Sequence, residues 1–538
     1  MKVLLTSLNS KYVHLNLALK YLYTAAVSSG AVLEIKEFTI NNEDSYVFGE
    51  ILSGKYDVIC FSCYIWNIEE TLYLAENIKK ALPDVIMIFG GPEVSYNAAE
   101  IMRQHEVIDF VVIGEGEFTF ARLIDALAAQ GEQRGDTAGE QGESDKTGAV
   151  ESDKSGGLQY ENIKGLAYRN ENEIVVNEPA DLLVFESIPF PYSILPCEKD
   201  KIIYYQSSRG CPFNCSYCIS SLEKKLRALS LPRVLNDIDF FLANKIKQVK
   251  FIDRTFNWSS ARCNEILNYI IDNDNGVTNF HFEICGELVD DELINLLRTA
   301  RKGLFRFEVG IQSTNKETLT AVKRSSAIEK VLANTQKLTA LDNVFVHIDL
   351  IAGLPFENYN RFKKTFNDVY VLAADTLQLG FLKLLPGTDI RENAANFRYE
   401  YRRKAPYEVI SNAFLSAQDL SRLKQIEEMV NLYYNRGGFQ TTLEHIIQTF
   451  VDTPFDFYEE LSIYYYLKGF QHKSHKKDDL YRILYEYVKW KTKKMGISSE
   501  EVLSKLENDM SKSLNSDAVK KFEKKGWRIC SEEKPATD

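Results

Sequence analysis

What this 538-residue chain lacks narrows the field first. No stretch approaches the roughly 18 consecutive apolar residues that a membrane-spanning helix requires. The N-terminus, "MKVLLTSLNSKYVH", turns polar too soon for the apolar core of a secretory signal. Positive charge is not in surplus: 64 Lys and Arg face 76 Asp and Glu, a formal net charge of -12, which argues against a general nucleic-acid binder. Cysteine is sparse. Its nine copies are odd in number and irregularly spaced, so no disulfide framework is expected. Together these absences predict a cytoplasmic chain with reduced thiols and neither membrane nor nucleic acid as a partner. A G-x-G-x-x-G fingerprint is also missing after the first predicted strand, which removes the usual dinucleotide signature.

What is present is ordinary globular composition, 45% apolar and 26% charged, in a chain too long for one core. Residues 1–128 alternate strand-like runs ("KVLLTSL", "LEIKEFTI", "YDVICFSCY", "VIMIFGG", "IDFVVIGEG") with amphipathic helical stretches. That pattern predicts an open, mostly parallel α/β sheet of the Rossmann-like, flavodoxin-like kind. Residues 129–160 are rich in Gly and acidic residues and nearly free of large apolar ones, the composition of a disordered linker. A connector, 161–192, follows. From 193 to 395 a second series of six strands, "IIYYQSS" to "TLQLGFLKLLPG", alternates with helices and predicts a barrel or part-barrel. Residues 396–538 lose that rhythm. Leu420, Leu423, Ile426, Val430 and Tyr433 recur at helical spacing and Gly437 and Gly438 end the run, so a helical domain is expected.

The densest chemistry is "QSSRGCPFNCSYCIS", where Cys211, Cys215 and Cys218 fall within eight positions as C-x3-C-x2-C. A closed zinc site needs a fourth Cys or His close by, yet the next cysteine is Cys263 and the next histidine His281. Three thiolates would leave one iron of a four-iron cluster open to another ligand.

"RGCPFNCSYC" resembles the cluster motif of the radical S-adenosylmethionine (SAM) superfamily, here after the first strand of the predicted part-barrel. The resemblance implies a (β/α)6 part-barrel and a [4Fe-4S] cluster held by Cys211, Cys215 and Cys218. SAM would bind the free iron, with Tyr217 beside its adenine. "FIDRTFN" occupies the strand end where the family usually carries Gly-Gly-Glu, so Asp253, Arg254 and Thr255 become candidates for that role. "FEVGIQS" resembles the fourth strand, implying Glu308, Gln312 and Ser313 as contacts. "HIDLIAGLPFE" resembles the fifth, implying Ile351 and Gly353. Glu283 and Lys383 stand at comparable strand ends.

At the strand ends of the first domain stand His14, then Ser62 and Tyr64, then Gly90 and Gly91, with a further tight turn at Gly114. Ligands of open α/β sheets bind at that edge. The set resembles the cobalamin-binding domain that precedes many radical SAM enzymes, with Tyr12 where the cobalamin motif has Asp and Leu17 where it has Gly. Small residues would leave a slot for the cobalamin tail, and His14 would line the pocket or ligate cobalt. Cys60 and Cys63 read as core residues rather than a redox pair.

The resemblance implies a cobalamin-dependent radical SAM enzyme that cleaves SAM reductively and methylates an unactivated carbon of a small molecule or peptide. Its reductant would be a flavodoxin or ferredoxin. Radical cyclisation or rearrangement without methyl transfer is the alternative within the family. A non-catalytic cobalamin or iron–sulfur sensor or carrier is the alternative outside it.

Overall fold

The computed structural model describes residues 1–137, 160–171, 173–223, 225–516 and 519. The chain divides into two compact units. The first comprises 1–282, 383–392 and 402–408, and the second 283–382, 393–401 and 409–538.

The first unit opens with the predicted sheet. Strands β1 (Lys2–Asn9), β2 (Val32–Thr39), β3 (Val58–Ser62), β4 (Ile86–Gly90) and β5 (Phe110–Val112) stand in the order β2-β1-β3-β4-β5, all parallel. Successive side chains of a strand point to opposite faces. Leu4, Ile59, Phe61, Met87 and Phe89 therefore enter one core, while Val3, Leu5, Val58, Cys60 and Ile88 enter another. Burial on both faces is why β3, β4 and β5 read as unbroken apolar runs, whereas the edge strand β2 is mostly half-exposed. Cys60 and Cys63 fall in different cores, where burial pushes both thiols up; they are structural residues, not a pair.

Two differences from expectation concern the segments that follow. The helix Glu117–Thr137 continues past residue 128, since extending a helix costs far less than nucleating one. The rest of the predicted linker, 138–159, lies outside the described residues. The expected connector contains β6 (Leu166–Asn170) and β7 (Glu173–Val176), an antiparallel hairpin that extends the sheet to seven strands. Its strands are only five and four residues long, too short for a clear alternation signal.

A second parallel series begins with β8 (Ile203–Tyr205). A two-stranded antiparallel ribbon follows, β9 (Ser208–Arg209) with β10 (Arg227–Ala228), and frames the cysteine loop. Then come β11 (Gln248–Phe251), β12 (Asn279–Ile284), β13 (Phe305–Gln312), β14 (Phe345–Ala352) and β15 (Thr376–Phe381), in sheet order β15-β14-β13-β12-β11-β8. In β13 and β14 fully buried residues alternate strictly with partly exposed ones. One face therefore packs against helices and the other is left polar, with Glu308 beside His347 in register.

Among the described residues the second unit ends in five α-helices, Ala417–Met429, Gln440–Phe450, Pro454–Leu467, Lys477–Met495 and Glu500–Ser513. The first runs on as a π-helical turn, Val430–Asn435, before Gly437 and Gly438 adopt positive φ. Leu420, Leu423, Ile426, Val430 and Tyr433 are buried, as their spacing predicts. Tyr458, Tyr465, Tyr481 and Tyr487 are also buried, so these tyrosines belong to the helical core. Among the described residues no helix is long and apolar enough to cross a membrane.

Candidate functional site

The order β2-β1-β3-β4-β5 has its switch point between β1 and β3, the position where flavodoxin-like sheets bind ligands. Sequence-predicted residues do gather along this carboxyl edge. Ser62 ends β3 and Gly90 ends β4. Tyr64 stacks on Trp66 with ring centroids 4.5 Å apart and planes 5° from parallel. Asn67, which sequence reasoning missed, ties the edge together. Its buried amide donates to the carbonyls of Leu8 (3.1 Å) and Ser62 (3.0 Å).

The glycines here differ in what they permit. A Cβ on Gly90 would sit at ordinary contact distance, 3.6 Å from the Val112 carbonyl oxygen, so the strand end tolerates a small side chain. At Gly91 (φ +109°) it would sit 2.5 Å from the Cys63 carbonyl oxygen, so Gly91 is small because its own turn demands it. Gly114 has φ +74°, and a Cβ there would meet nothing within 4 Å. His14 is held from the opposite side: its Nδ1 lies 2.6 Å from the Tyr204 hydroxyl on β8. Burial, then the charges of Lys11 and Lys250, push the imidazole's pKa down, which keeps the ring neutral and able to donate a lone pair.

Beyond β8 the cysteine loop is shaped before any ligand arrives. Gly210 takes φ +86°, and a Cβ there would lie 2.6 Å from the Lys225 carbonyl oxygen, so the turn into Cys211 requires glycine. Cys215 is buried, while Cys211 and Cys218 are partly exposed. The Cys218 amide donates to the Cys215 carbonyl at 3.0 Å, and Ile390 donates to the Ser216 carbonyl at 3.0 Å. Among the described residues no three His, Cys, Asp or Glu side chains gather around one point as a single metal ion would require. A cubane cluster instead takes its thiolates on separate irons, and three cysteines spread along one loop suit that demand.

Asp253 and Thr255 stand beside this loop in different capacities. Asp253 is buried and accepts from the Ser207 amide (2.7 Å), the Ser207 hydroxyl and the Ser208 amide (3.1 Å). Burial raises its pKa against these hydrogen bonds. Its oxygens are thus occupied in fixing the end of β8. The Thr255 hydroxyl lies 3.5 Å from the Cys211 sulfur. Arg254 is exposed and Tyr217 partly exposed.

Within the second unit the strand ends of β13 and β14 carry the other predicted contacts. Gln312 breaks the β13–β14 register, adopts φ +69°, and buries an Oε1 that has no partner. A left-handed backbone and an unpartnered acceptor at a strand end set Gln312 apart from the other predicted contacts. Ser313 is buried and donates to Glu357 Oε1 at 2.6 Å, so its hydroxyl is committed inside the protein. Glu308 and Ile351 are partly exposed on the polar face, as is Glu283 at the end of β12. Gly353 (φ +98°) leaves no room for a side chain, since a Cβ would lie 2.7 Å from Val409 Cγ1. Its carbonyl accepts from Tyr399 and Asn412, both at 2.9 Å. In the first unit, Lys383 makes a backbone bridge with Glu408.

A buried ionic network escaped sequence reasoning. Arg209 reaches Glu117 at 2.5 Å and Glu115 at 3.2 Å, and Arg227 grips Glu115 at 2.6 and 2.9 Å and also pairs with Glu223. All but Glu223 have side chains no more than 15% exposed. Glu115, Glu117 and Arg209 lie in two conspicuous stretches, "VIGEGE" and "RGC", but a pairing across 92 residues leaves no local signal.

Comparison with known proteins follows the same division. The B12 binding domain family matches residues 3–124, the radical SAM superfamily 205–369, and a domain family described as a protein of unknown function, DUF4080, 395–536. The cobalamin-dependent radical SAM methyltransferase TokK of Streptomyces tokunonensis is 24% identical over 335 residues, 57% of this chain and 44% of that protein. An uncharacterized methyltransferase of Pyrococcus horikoshii is 34% identical over 204 residues, 36% of this chain and 38% of its own length. The chain thus spans less than half the length of these curated relatives. Among solved structures, the cobalamin-dependent SAM radical enzyme OxsB with aqua-cobalamin and SAM bound shares the fold. Its TM-score is 0.61 at 14% identity, covering 99% of this chain and 82% of that one. The radical SAM methyltransferase TsrM of Kitasatospora setae gives 0.58 at 17% identity, covering 73% and 76%. Motif, sheet order and comparisons converge: the chain belongs to the radical SAM proteins that carry an N-terminal B12-binding domain and a C-terminal domain of unknown function.

Proposed function

We propose that this chain is a cobalamin-dependent radical SAM methyltransferase acting on an unactivated carbon of a small molecule or peptide. The observation that carries the reading is the cysteine loop, three thiols on a preformed turn directly after the first strand of the part-barrel. When bound, a reduced four-iron cluster supplies the electron that cleaves a sulfonium C–S bond of SAM, and cobalamin supplies a transferable methyl group. Cys211, Cys215 and Cys218 hold the cluster, and Asp253 keeps the strand beneath it fixed through Ser207 and Ser208. Gln312 offers an unpaired acceptor to SAM, and Gly353 shapes the turn after β14. Ser62, Tyr64, Gly90, Gly91 and Gly114 shape the cobalamin edge, with His14 as a neutral group facing it.

A flavodoxin or ferredoxin is the matching reductant, and the reducing cytoplasm the matching compartment. The helices after residue 395 contribute substrate selection.

Anaerobic reconstitution with iron, sulfide, hydroxocobalamin and SAM tests the reading. With dithionite or reduced flavodoxin, the protein should bind about four irons through its three cysteines and release 5′-deoxyadenosine, and Cys211→Ala should abolish that release. Iron-loaded protein that yields no 5′-deoxyadenosine from SAM overturns the assignment.

A further inference from the structure

The buried ionic network does more than join two segments. Glu115 lies in the turn that begins at Gly114, on the edge assigned to cobalamin, and Glu117 opens the helix that follows it. The Gly114 amide donates to Ser95 Oγ at 3.2 Å, and Ser95 Oγ donates to the Gly91 carbonyl at 2.8 Å. Both glycines are therefore tied through one hydroxyl. On the other side, Glu117 and Glu115 hold Arg209, which is separated from Cys211 only by the conformationally constrained Gly210.

Arg209 has little freedom to move. Its Nε donates to Gln206 at 3.0 Å, and its guanidinium lies 4.7 Å from the Phe185 ring centroid and 5.4 Å from that of Tyr21. Its backbone pairs with Arg227, whose side chain grips the same Glu115. Burial lifts the Glu115 carboxyl, but Arg227 and Arg209 outweigh it and hold the pKa below the usual range. Hydrogen bonds join Gly91 to Ser95 and Ser95 to Gly114, three residues of backbone lead on to Glu117, an ion pair crosses to Arg209, and Gly210 links Arg209 to Cys211.

We propose that Glu115 and Glu117 are positioning residues that clamp the cysteine loop to the Gly114 turn, so that cobalamin binding at the sheet edge and cluster retention at the cysteines are coupled. The inference rests on the cofactor assignment above. A ligand seated against Gly91 and Gly114 restrains the turn, the turn restrains Arg209, and Arg209 restrains the loop that closes on the cluster. Coupling of this kind is reciprocal, so a loaded cluster must also favour cobalamin binding.

The test uses the full chain, anaerobically reconstituted, with iron release to a chelator followed with and without hydroxocobalamin. Cobalamin should slow iron release by about five-fold or more, the lower end of ordinary coupling. Two variants break the path at different points. Ser95→Ala cuts the link between the glycines and leaves every charge paired. Glu117→Gln weakens the hold on Arg209. In the cluster-free form both should bind cobalamin within about three-fold of the parent by absorption titration, yet once the cluster is loaded both should lose most of the protection. Arg209→Lys, which retains the charge, should recover part of it. Equal protection in parent and Ser95→Ala overturns the proposal even if Glu117→Gln misfolds. So does the absence of any protection in a parent protein that binds both cofactors. A parent that binds no iron or no cobalamin refutes the cofactor assignment itself, and this proposal with it.

Discussion

His14 and Tyr204 are 190 residues apart in sequence and 2.6 Å apart in space, imidazole Nδ1 to phenol oxygen. A metal-bound histidine usually needs its second nitrogen held by a carboxylate or other acceptor. The aspartate that plays this part in the cobalamin motif is replaced by Tyr12, whose side chain is 70% exposed. On the cobalamin reading proposed above, Tyr204 on β8 would take that role. Tyr204→Phe should therefore weaken hydroxocobalamin binding by about ten-fold, the lower end of what loss of an orienting partner costs, and His14→Ala by at least as much. Absorption titration measures both. Nitrogen hyperfine lines on Co(II) that vanish in His14→Ala identify ligation, and lines that persist confine His14 to lining the slot.

Gly90 and Gly91 are neighbours with opposite sensitivities. Gly90→Ala places a methyl at ordinary contact distance, 3.6 Å from the Val112 carbonyl oxygen, and should leave stability within about 0.5 kcal/mol. Gly91→Ala combines φ +109° with a 2.5 Å clash and should cost about 1–3 kcal/mol or more. Thermal melting separates them. If the slot is real, Gly90→Ala still loses cobalamin affinity although its melting temperature holds.

Physical reasons explain which features were legible in the sequence. The inner parallel strands were legible because burial on both faces makes them apolar runs, as in the fully buried "VICFS" of β3, while the edge strand β2 showed itself by its β-branched and aromatic residues. The cysteine loop was legible because its ligands are local in sequence. The hairpin β6–β7 was not, being too short to show a period. Asn67, Tyr204 and the pairing of Glu117 with Arg209 were invisible for another reason: each acts across dozens of residues, where only folded geometry supplies the partner. Asp253 and Ser313 show the converse limit. Their motif positions were readable, but only the structure reveals that their polar atoms are turned inward.

Glu357 holds the strand end that presents Gln312. Its Oε1 accepts from Ser313 Oγ and Thr365 Oγ1, both at 2.6 Å, and it is fully buried. Burial raises its pKa against the opposing pull of Ser313, Thr365 and Arg361. Glu357→Gln keeps an acceptor for both hydroxyls and should change SAM affinity by no more than about three-fold, the effect of well under 1 kcal/mol. Glu357→Leu strands two buried donors, at a cost of about 2–4 kcal/mol. It should also weaken SAM binding by about ten-fold as the bulge at Gln312 loosens. Equilibrium dialysis with SAM, read beside melting curves, checks the pair. Equal SAM affinity in both variants would detach Glu357 from the site.

Asp237 makes stability depend on pH. It lies beneath the first barrel strand, 2% exposed, accepting from the Tyr205 hydroxyl at 2.9 Å. Burial raises its pKa from 3.8 to about 6, although Tyr205 and Arg233 pull the other way. A carboxyl whose pKa rises on folding binds its proton more tightly in the native state. Its contribution is therefore fully present below the unfolded value and lost as pH climbs through about 6. The shift corresponds to about 3 kcal/mol between those limits. Asp237→Asn keeps a hydrogen-bond acceptor for Tyr205 and cannot ionise. Chemical-denaturation midpoints should therefore favour the variant over the parent at pH 8 and bring the two together near pH 4. A difference between them that stays constant across this range would show that Asp237 does not carry the titration.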